Sequence, residues 1–266
     1  MVADFFAVIL TWYRECVVLN AGPRMPLYSE RTYRSRAKAH DMASFQVAVK
    51  ETDLWVSAGK TLERETLDLV IDCRYQLETY IRSHPDFVTT LSPYQKDDYA
   101  PPLVKRMIQE AARVGVGPMS SVAGAIAQHV GEGLLEFTDN VIVENGGDVY
   151  IKADRAVTVS IFAGPSSLSE RLGLLIPVRQ MPVGVCSSSG SVGHSFSAGI
   201  ADAVCLVSHS AVLADAAATA LGNRIQKKTG LEKAAEWAGK TAGISGGVVI
   251  VADRMATWGD IELVEL

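Results

Sequence analysis

The order in which hydrophobic periods arrive constrains this chain most. Period-two runs come in groups and helical periods come in blocks. The strict β-α-β alternation that builds a parallel sheet is missing, so the order predicts an α+β fold with largely antiparallel pairing and packed helices. The 266 residues, 48% of them hydrophobic, suffice for one large core. No Pro/Ser-rich stretch, charge run or solenoid-period repeat divides them, which favours a single domain.

Phe45, Val47 and Val49 alternate, Glu51-Thr52-Asp53 intervenes, and Leu54 and Val56 follow: a β-hairpin. From Leu62, the positions Thr66, Val70, Cys73, Leu77 and Ile81 keep helical spacing, with Pro85 just beyond. A second helix opens at Pro101-Pro102 and closes at Gly115. A third, rich in Ser, Ala and Gly, runs from about Met119 to Val130. Short strands are predicted at Val141–Val143, Thr158–Phe162, Leu172–Ile176, Val183–Cys186 and Ala203–Val207, separated by glycine-rich turns. An Ala-rich helix from about Ser210 to Lys227 and another over Leu231–Lys240 precede closing strands at Val248–Val251 and Ile261–Val264.

The net charge of −5 and the scattered Lys and Arg provide no basic stripe, which excludes nucleic acid as an expected partner. Cys16, Cys73, Cys186 and Cys205 lack metal or disulfide-scaffold spacing and read as buried thiols in a reducing compartment. The apolar run Phe5–Leu10 follows Asp4 and is soon interrupted by Arg14 and Glu15. It is too short for a membrane span and lacks the basic start of a signal peptide. A cytoplasmic protein without a membrane partner is therefore the expectation. Residues 1–24 read as an N-terminal extension, either a short amphipathic helix or sequence upstream of a start at Met25, with residues 25–266 forming the domain.

Three segments have the residue types to carry chemistry. In Asn145-Gly146-Gly147-Asp148, the glycines permit positive φ and leave backbone amides open to a ligand. The plainer reading is a type I′ hairpin turn. Cys186 to Ser195 gathers small hydroxyls and glycines, among them Ser188, Ser189 and Gly190, that suit an anion. His194 adds a group able to move a proton near neutral pH, and a solvated polar loop is the alternative. Neither segment matches a P-loop, a dinucleotide-binding fingerprint or a nucleophile elbow. In the third segment, Asp215 and Thr219 stand four apart on one helix face with Asn223 a turn further on. A carboxylate and a hydroxyl at that spacing suit Mg2+. Otherwise Asp215 complements its own helix dipole. His40, His84, His129 and His209 have no partner at metal-ligand spacing and are expected at the surface.

The order of these segments carries a resemblance. Glu30-Arg31-Thr32-Tyr33, Lys50 to Leu54, Gly115 to Met119 and Val122 to Ala127 lead, followed by Val143 to Asp148, Val192 to Ser195 and Leu213 to Ala220. From about Tyr28 onward the chain resembles an uncharacterised prokaryotic family related to the ApbE-like FAD:protein FMN transferases. The resemblance implies a T-fold-like α+β architecture with a ligand cleft between sheet and helices, FAD and Mg2+ as cofactors, and FMN transfer to a Thr or Ser of a protein partner. It assigns the metal to Asp215 and Thr219. It brings the turn at Asn145, Gly146, Gly147 and Asp148 and the turn at Ser188, Ser189 and Gly190 to the flavin nucleotide, and it makes His194 and Asp215 the catalytic candidates.

The chain departs from the transferase pattern in two places. An Ala-Lys-Gly segment with a downstream Asp becomes Val122-Ala123-Gly124 and Gln128, removing a cation and a carboxylate from the expected pocket, although a backbone carbonyl near Val122 remains within reach of a metal. His194 is followed by Ser195-Phe196-Ser197 where the transferases have Asp-Pro. Three functions remain open: an Mg2+-dependent transferase or hydrolase acting on a flavin or nucleotide, a non-catalytic binder of the same ligand, and an accessory protein in anaerobic sulfur assimilation. A homodimer is compatible with each.

Overall fold

The computed structural model describes residues 41–189, 199–227 and 230–266. The expected boundary near Met25, together with Cys16, His40, Gly190 and His194, lies outside the described residues. The hairpin forms as predicted, from β1 (Ala43–Val49) and β2 (Thr52–Ala58). Helix α1 (Glu63–Ser83) buries Thr66, Val70, Cys73, Leu77 and Ile81, the stripe read from their spacing. After the short α2 (Asp86–Thr89), α3 (Pro102–Val114) begins on a proline whose absent N–H costs nothing there. It ends at Gly115, whose left-handed backbone (φ 79°) returns its N–H to the last turn.

A 3-10 turn, Pro118–Ser121, leads into α4 (Val122–Leu134). This helix outruns the predicted end at Val130. Gly131 and Gly133 do not break it, because the ring of Tyr150 and the side chain of Leu69 fill the places of their missing Cβ atoms. Strands β3 (Val141–Asn145), β4 (Asp148–Lys152), β5 (Val157–Ser160), β6 (Leu172–Ile176), β7 (Val183–Ser188) and β8 (Ala203–Ser208) follow. Next come α5 (Ala211–Arg224), α6 (Leu231–Gly239), β9 (Ile244–Val251), β10 (Arg254–Gly259) and β11 (Glu262–Glu265). Two strands were not predicted. β4 is the return limb that the Asn-Gly turn requires. β10 is an edge strand of mixed polarity, with little periodic signal.

Every strand pair among the described residues is antiparallel, in agreement with the α+β expectation. Eight strands form one sheet in the order β1-β2-β3-β4-β7-β8-β9-β10, and β11-β6-β5 form a second. Alternation along the strands separates two cores. Val204, Leu206, Val249 and Val251 turn toward α3, α5 and α6. Ala203, Cys205, Val207, Val248 and Ile250 turn toward Leu174 and Ile176 of the small sheet. The large sheet is thus covered on both faces, which is why β8 is buried throughout. No helix among the described residues is long and apolar enough to cross a membrane.

The closeness of α5 to the sheet rests on Gly184 in β7. A Cβ at that position would run into the Ala211 backbone at the start of α5, which cannot swing aside as a side chain can. Gly184→Ala is expected to destabilise the protein by about 1–3 kcal/mol, as overpacking of a filled core does, measured by urea unfolding. An unchanged midpoint would mean that α5 can ride up without cost.

Candidate functional site

Face assignment locates the site. Val149 and Ile151 of β4 and Val183 and Val185 of β7 enter the core beneath the small sheet. Their neighbours Asp148, Cys186 and Ser188 therefore face the helices. Cys186 packs with Ala211 and Ala214. Asn145, opposite Asp148 across the hairpin, also faces the helices, where its Nδ2 donates to the Ala123 carbonyl at 3.1 Å. Gly146 and Gly147 hold φ of 68° and 102°, the double positive φ of a two-residue hairpin turn. The Gly147 N–H donates to Glu144 Oε1 at 2.8 Å, so that amide is engaged within the turn. What the turn delivers to the sheet–helix interface is the pair of side chains flanking it.

From the other wall comes α5. Ser210 caps it, its hydroxyl accepting from the Leu213 N–H at 3.2 Å. The alanines that follow are small enough for the helix to be buried from Ala211 to Gly222. Asp215 and Thr219 project one turn apart, and both are buried. Asp215 does not complement its own helix dipole, as the plainer reading had it. Its Oδ2 accepts from the Gly124 N–H at 2.8 Å, in the first turn of α4. A Cβ at Gly124 would collide with the Ala211 carbonyl and lie 2.8 Å from Asp215 Cβ, so only glycine lets the two helices approach this closely.

Asp148 and Asp215, 3% and 5% exposed, make this an unusual interior. Burial raises the Asp148 carboxyl well above the ordinary carboxylate range, and the Asp215 and Glu144 charges add to the effect. Burial likewise lifts Asp215 to about 7, although the Gly124 and Ala123 N–H groups pull it back. Asp148 Oδ1 accepts from the Ser187 N–H at 3.2 Å. The Cys186 thiol lies beside Asp148 and donates to the Ala211 carbonyl at 3.3 Å. Burial and then the two acids push that thiol up, so it is a proton donor here and not a nucleophile. Among the described residues, no cationic side chain figures among the charges acting on either acid.

The remaining candidates fall as follows. Ser188, 4% exposed, has a buried hydroxyl without a hydrogen-bond partner among the described residues, the state of a group placed for a ligand or a water. Ser189 is half-buried at the end of β7. Gln128 is not a vacant pocket position. It is buried and accepts from the N–H groups that open α5. His209 is exposed and His84 stacks on Tyr80 with ring centroids 4.0 Å apart. His129 departs from the surface expectation: it is half-buried on α4, and its Nε2 is buried without a partner among the described residues. Cys186 was read only as a buried thiol. Its alternation with Gly184 and Ser188 was the signal that it shares their face.

Among the described residues, no group of three or more His, Cys, Asp and Glu could hold a metal ion. A divalent cation here would be held by the acids together with Thr219 and oxygens of a ligand. That donor set fits Mg2+, which accepts one or two carboxylates and completes its shell with phosphate and water.

Between the ordinary carboxylate value and about 7, the native state keeps a proton that the unfolded chain has released, so the acid pair lowers stability as pH rises through that window. In EDTA, wild type is expected to lose stability relative to Asp215→Asn between pH 4.5 and 7.5. Urea midpoints at both pH values give the comparison, and a pH-independent difference contradicts it.

Comparisons with known proteins bear on this geometry. The family model described as AbpE bacteria matches residues 34–242. A UPF0280 protein of Methanocella arvoryzae is 41% identical over 212 residues, covering 79% of this chain and 86% of the relative. One of Methanosarcina acetivorans is 38% identical over 240 residues, covering 89% and 94%. Among solved structures, the apo flavinyl transferase ApbE of Pseudomonas stutzeri superposes with a TM-score of 0.52 at 14% identity, over 82% of this chain and 94% of that one. The ApbE protein of Thermotoga maritima gives 0.50 at 14% identity, over 81% and 96%. At such identities the structures share the fold alone. Through the family model and the UPF0280 relatives, the chain belongs to the AbpE bacteria family.

Proposed function

We propose that this chain binds a flavin dinucleotide with Mg2+ in the cleft between β3, β4 and β7 on one side and α4 and α5 on the other. It acts there on the diphosphate, by transfer of FMN or by hydrolysis. The observation that carries the reading is the buried acid pair Asp148 and Asp215, with Thr219 a turn further along α5 and no cationic side chain acting on either acid among the described residues. The chemistry of these donors suits a hard cation. One fold neighbour, the Pseudomonas stutzeri protein, is a flavinyl transferase, and this suggests the ligand class.

In this reading Asp215 and Thr219 hold Mg2+, which neutralises charge on the diphosphate. Asp148 lies close enough to feel the same cation. Asn145 and Asp148 border the flavin nucleotide, with Gly146 and Gly147 shaping the turn between them. Ser188, Ser189 and Gly190 receive phosphate, and among the described residues the Ser188 hydroxyl has no other hydrogen-bond partner. His194 moves the proton released by the attacking hydroxyl or water. In balance, FAD and water give FMN and AMP, or FAD and a protein hydroxyl give FMN-protein and AMP. One observation favours a non-catalytic binder of the same ligand instead: the start of α4 holds Val122-Ala123-Gly124, with no cationic side chain to stabilise a departing phosphate.

FAD titrated into the full chain with and without Mg2+, followed by analysis for AMP, tests both. Mg2+-dependent binding is expected, and Asp215→Asn should weaken it by about tenfold or more while the variant still unfolds in one cooperative urea transition. AMP in the mixture marks turnover, and FAD recovered intact marks the binder. Binding that ignores Mg2+ and Asp215→Asn alike would overturn the cation site.

A further inference from the structure

Helices α4 and α5 cap each other. The carboxylate of Asp215, on α5, accepts from the Gly124 N–H at the start of α4 at 2.8 Å. In return, Gln128 Oε1, on α4, accepts from the Ala211 and Val212 N–H groups that open α5, at 2.9 and 3.4 Å. Gly124 and Gln128 lie one turn apart on α4, and Ala211 and Asp215 lie one turn apart on α5. The two contacts therefore hold antiparallel helices at two points in a single register. Each supplies an acceptor that a buried helix start otherwise lacks.

Gln128 is itself held. It is 9% exposed, its Nε2 donates to Glu132 Oε1 at 2.7 Å, and Arg106 Nη1 on α3 donates to Glu132 Oε2 at 2.8 Å. The side chain is thus oriented from behind, with its amide oxygen aimed at α5. An amide suits the position on two counts. It accepts from α5 and donates to Glu132 at once, and it brings no further negative charge to helices that already carry Asp215.

We propose that Gln128 is a positioning residue for the cation site, setting the height and rotation of α5 and through it the placement of Asp215 and Thr219. This inference rests on Asp215 and Thr219 being the cation ligands. Gln128 touches neither cation nor substrate. It acts by keeping α5 in register when the Asp215 carboxylate turns its charge from the Gly124 N–H toward a cation. Without it, α5 loses the tether that is independent of Asp215, and the geometry that cation binding requires has to be restored at the expense of affinity.

The test measures, on the full chain, the Mg2+ concentration that gives half-maximal FAD binding, with the urea midpoint of each variant alongside. Gln128→Met keeps the side-chain volume and removes both hydrogen-bonding atoms. It is expected to raise the half-saturating Mg2+ concentration about tenfold, in line with the loss of a helix cap. Gln128→Glu combined with Glu132→Gln restores the acceptor for α5, reverses the hydrogen bond between the two side chains and leaves the net charge unchanged; it should bring the value back to within about threefold of wild type. Leu174→Ala, in the core beneath the small sheet, loses stability by a separate route and should leave the half-point unchanged. If Gln128→Met does not fold, Glu132→Ala frees the glutamine without deleting it and should shift the half-point in the same direction, about threefold.

The proposal is overturned if Gln128→Met keeps the wild-type half-point, or if Leu174→Ala shifts it equally. Wild-type binding that shows no Mg2+ dependence would instead defeat the cation site itself, a result visible before any variant is made.

Discussion

Two carboxylates buried within reach of each other's charge are the constraint on which the rest of this structure turns. An ionised acid is costly to bury unless it is neutralised or hydrogen-bonded, and a second one nearby adds repulsion. The surroundings are built to bear that cost. Asp215 takes the N–H groups that begin α4, and Asp148 takes the Ser187 N–H, with the Cys186 thiol beside it. For those contacts to exist, α4 and α5 must nearly touch, which requires Gly124, and α5 must lie on the sheet, which requires Gly184. The small residues of the interior thus follow from the acids they allow to meet.

Much of the scaffold was legible along the chain because its signals are local. Helix α1 declared its buried stripe, α3 declared both ends through Pro102 and Gly115, and the β1–β2 hairpin followed from alternation. The pairing of Asp215 with Thr219 was likewise visible, since four residues on a helix share a face. The contacts that complete the site have no local signature. Gly124 and Asp215 are 91 residues apart, and Gln128 and Ala211 are 83 apart. Nothing near Gln128 announces that its amide closes another helix. The Asn145–Asp148 segment shows the opposite limit. Its spacing read as ligand cradle or, more plainly, as hairpin turn, and the structure makes it a turn whose flanking side chains face the helices.

The likeness to the ApbE structures and the departures from them lie at different levels. The shared fold reflects an antiparallel sheet covered by helices, an arrangement that tolerates wide change in sequence as long as the apolar alternation and the close helix approach persist. Chemistry resides in the side chains grafted onto that frame, so fold alone does not transmit a reaction. In this chain the position read as a lost acid, Gln128, has been drawn into helix capping, and the start of α4 presents backbone and alanine where the transferase pattern has a lysine. The acids, Asp148 on the sheet and Asp215 on α5, carry the case for a cation.

Locating the cation tests this account most directly. Protein crystallised with FAD and Mn2+ in place of Mg2+ would reveal the ion by its anomalous scattering. The account predicts one strong peak within bonding distance of Asp215 and Thr219, on the side facing Asp148 and bridged to the flavin diphosphate. A peak elsewhere, or bound FAD with no ion at Asp215, would mean that the buried acids are held for packing alone.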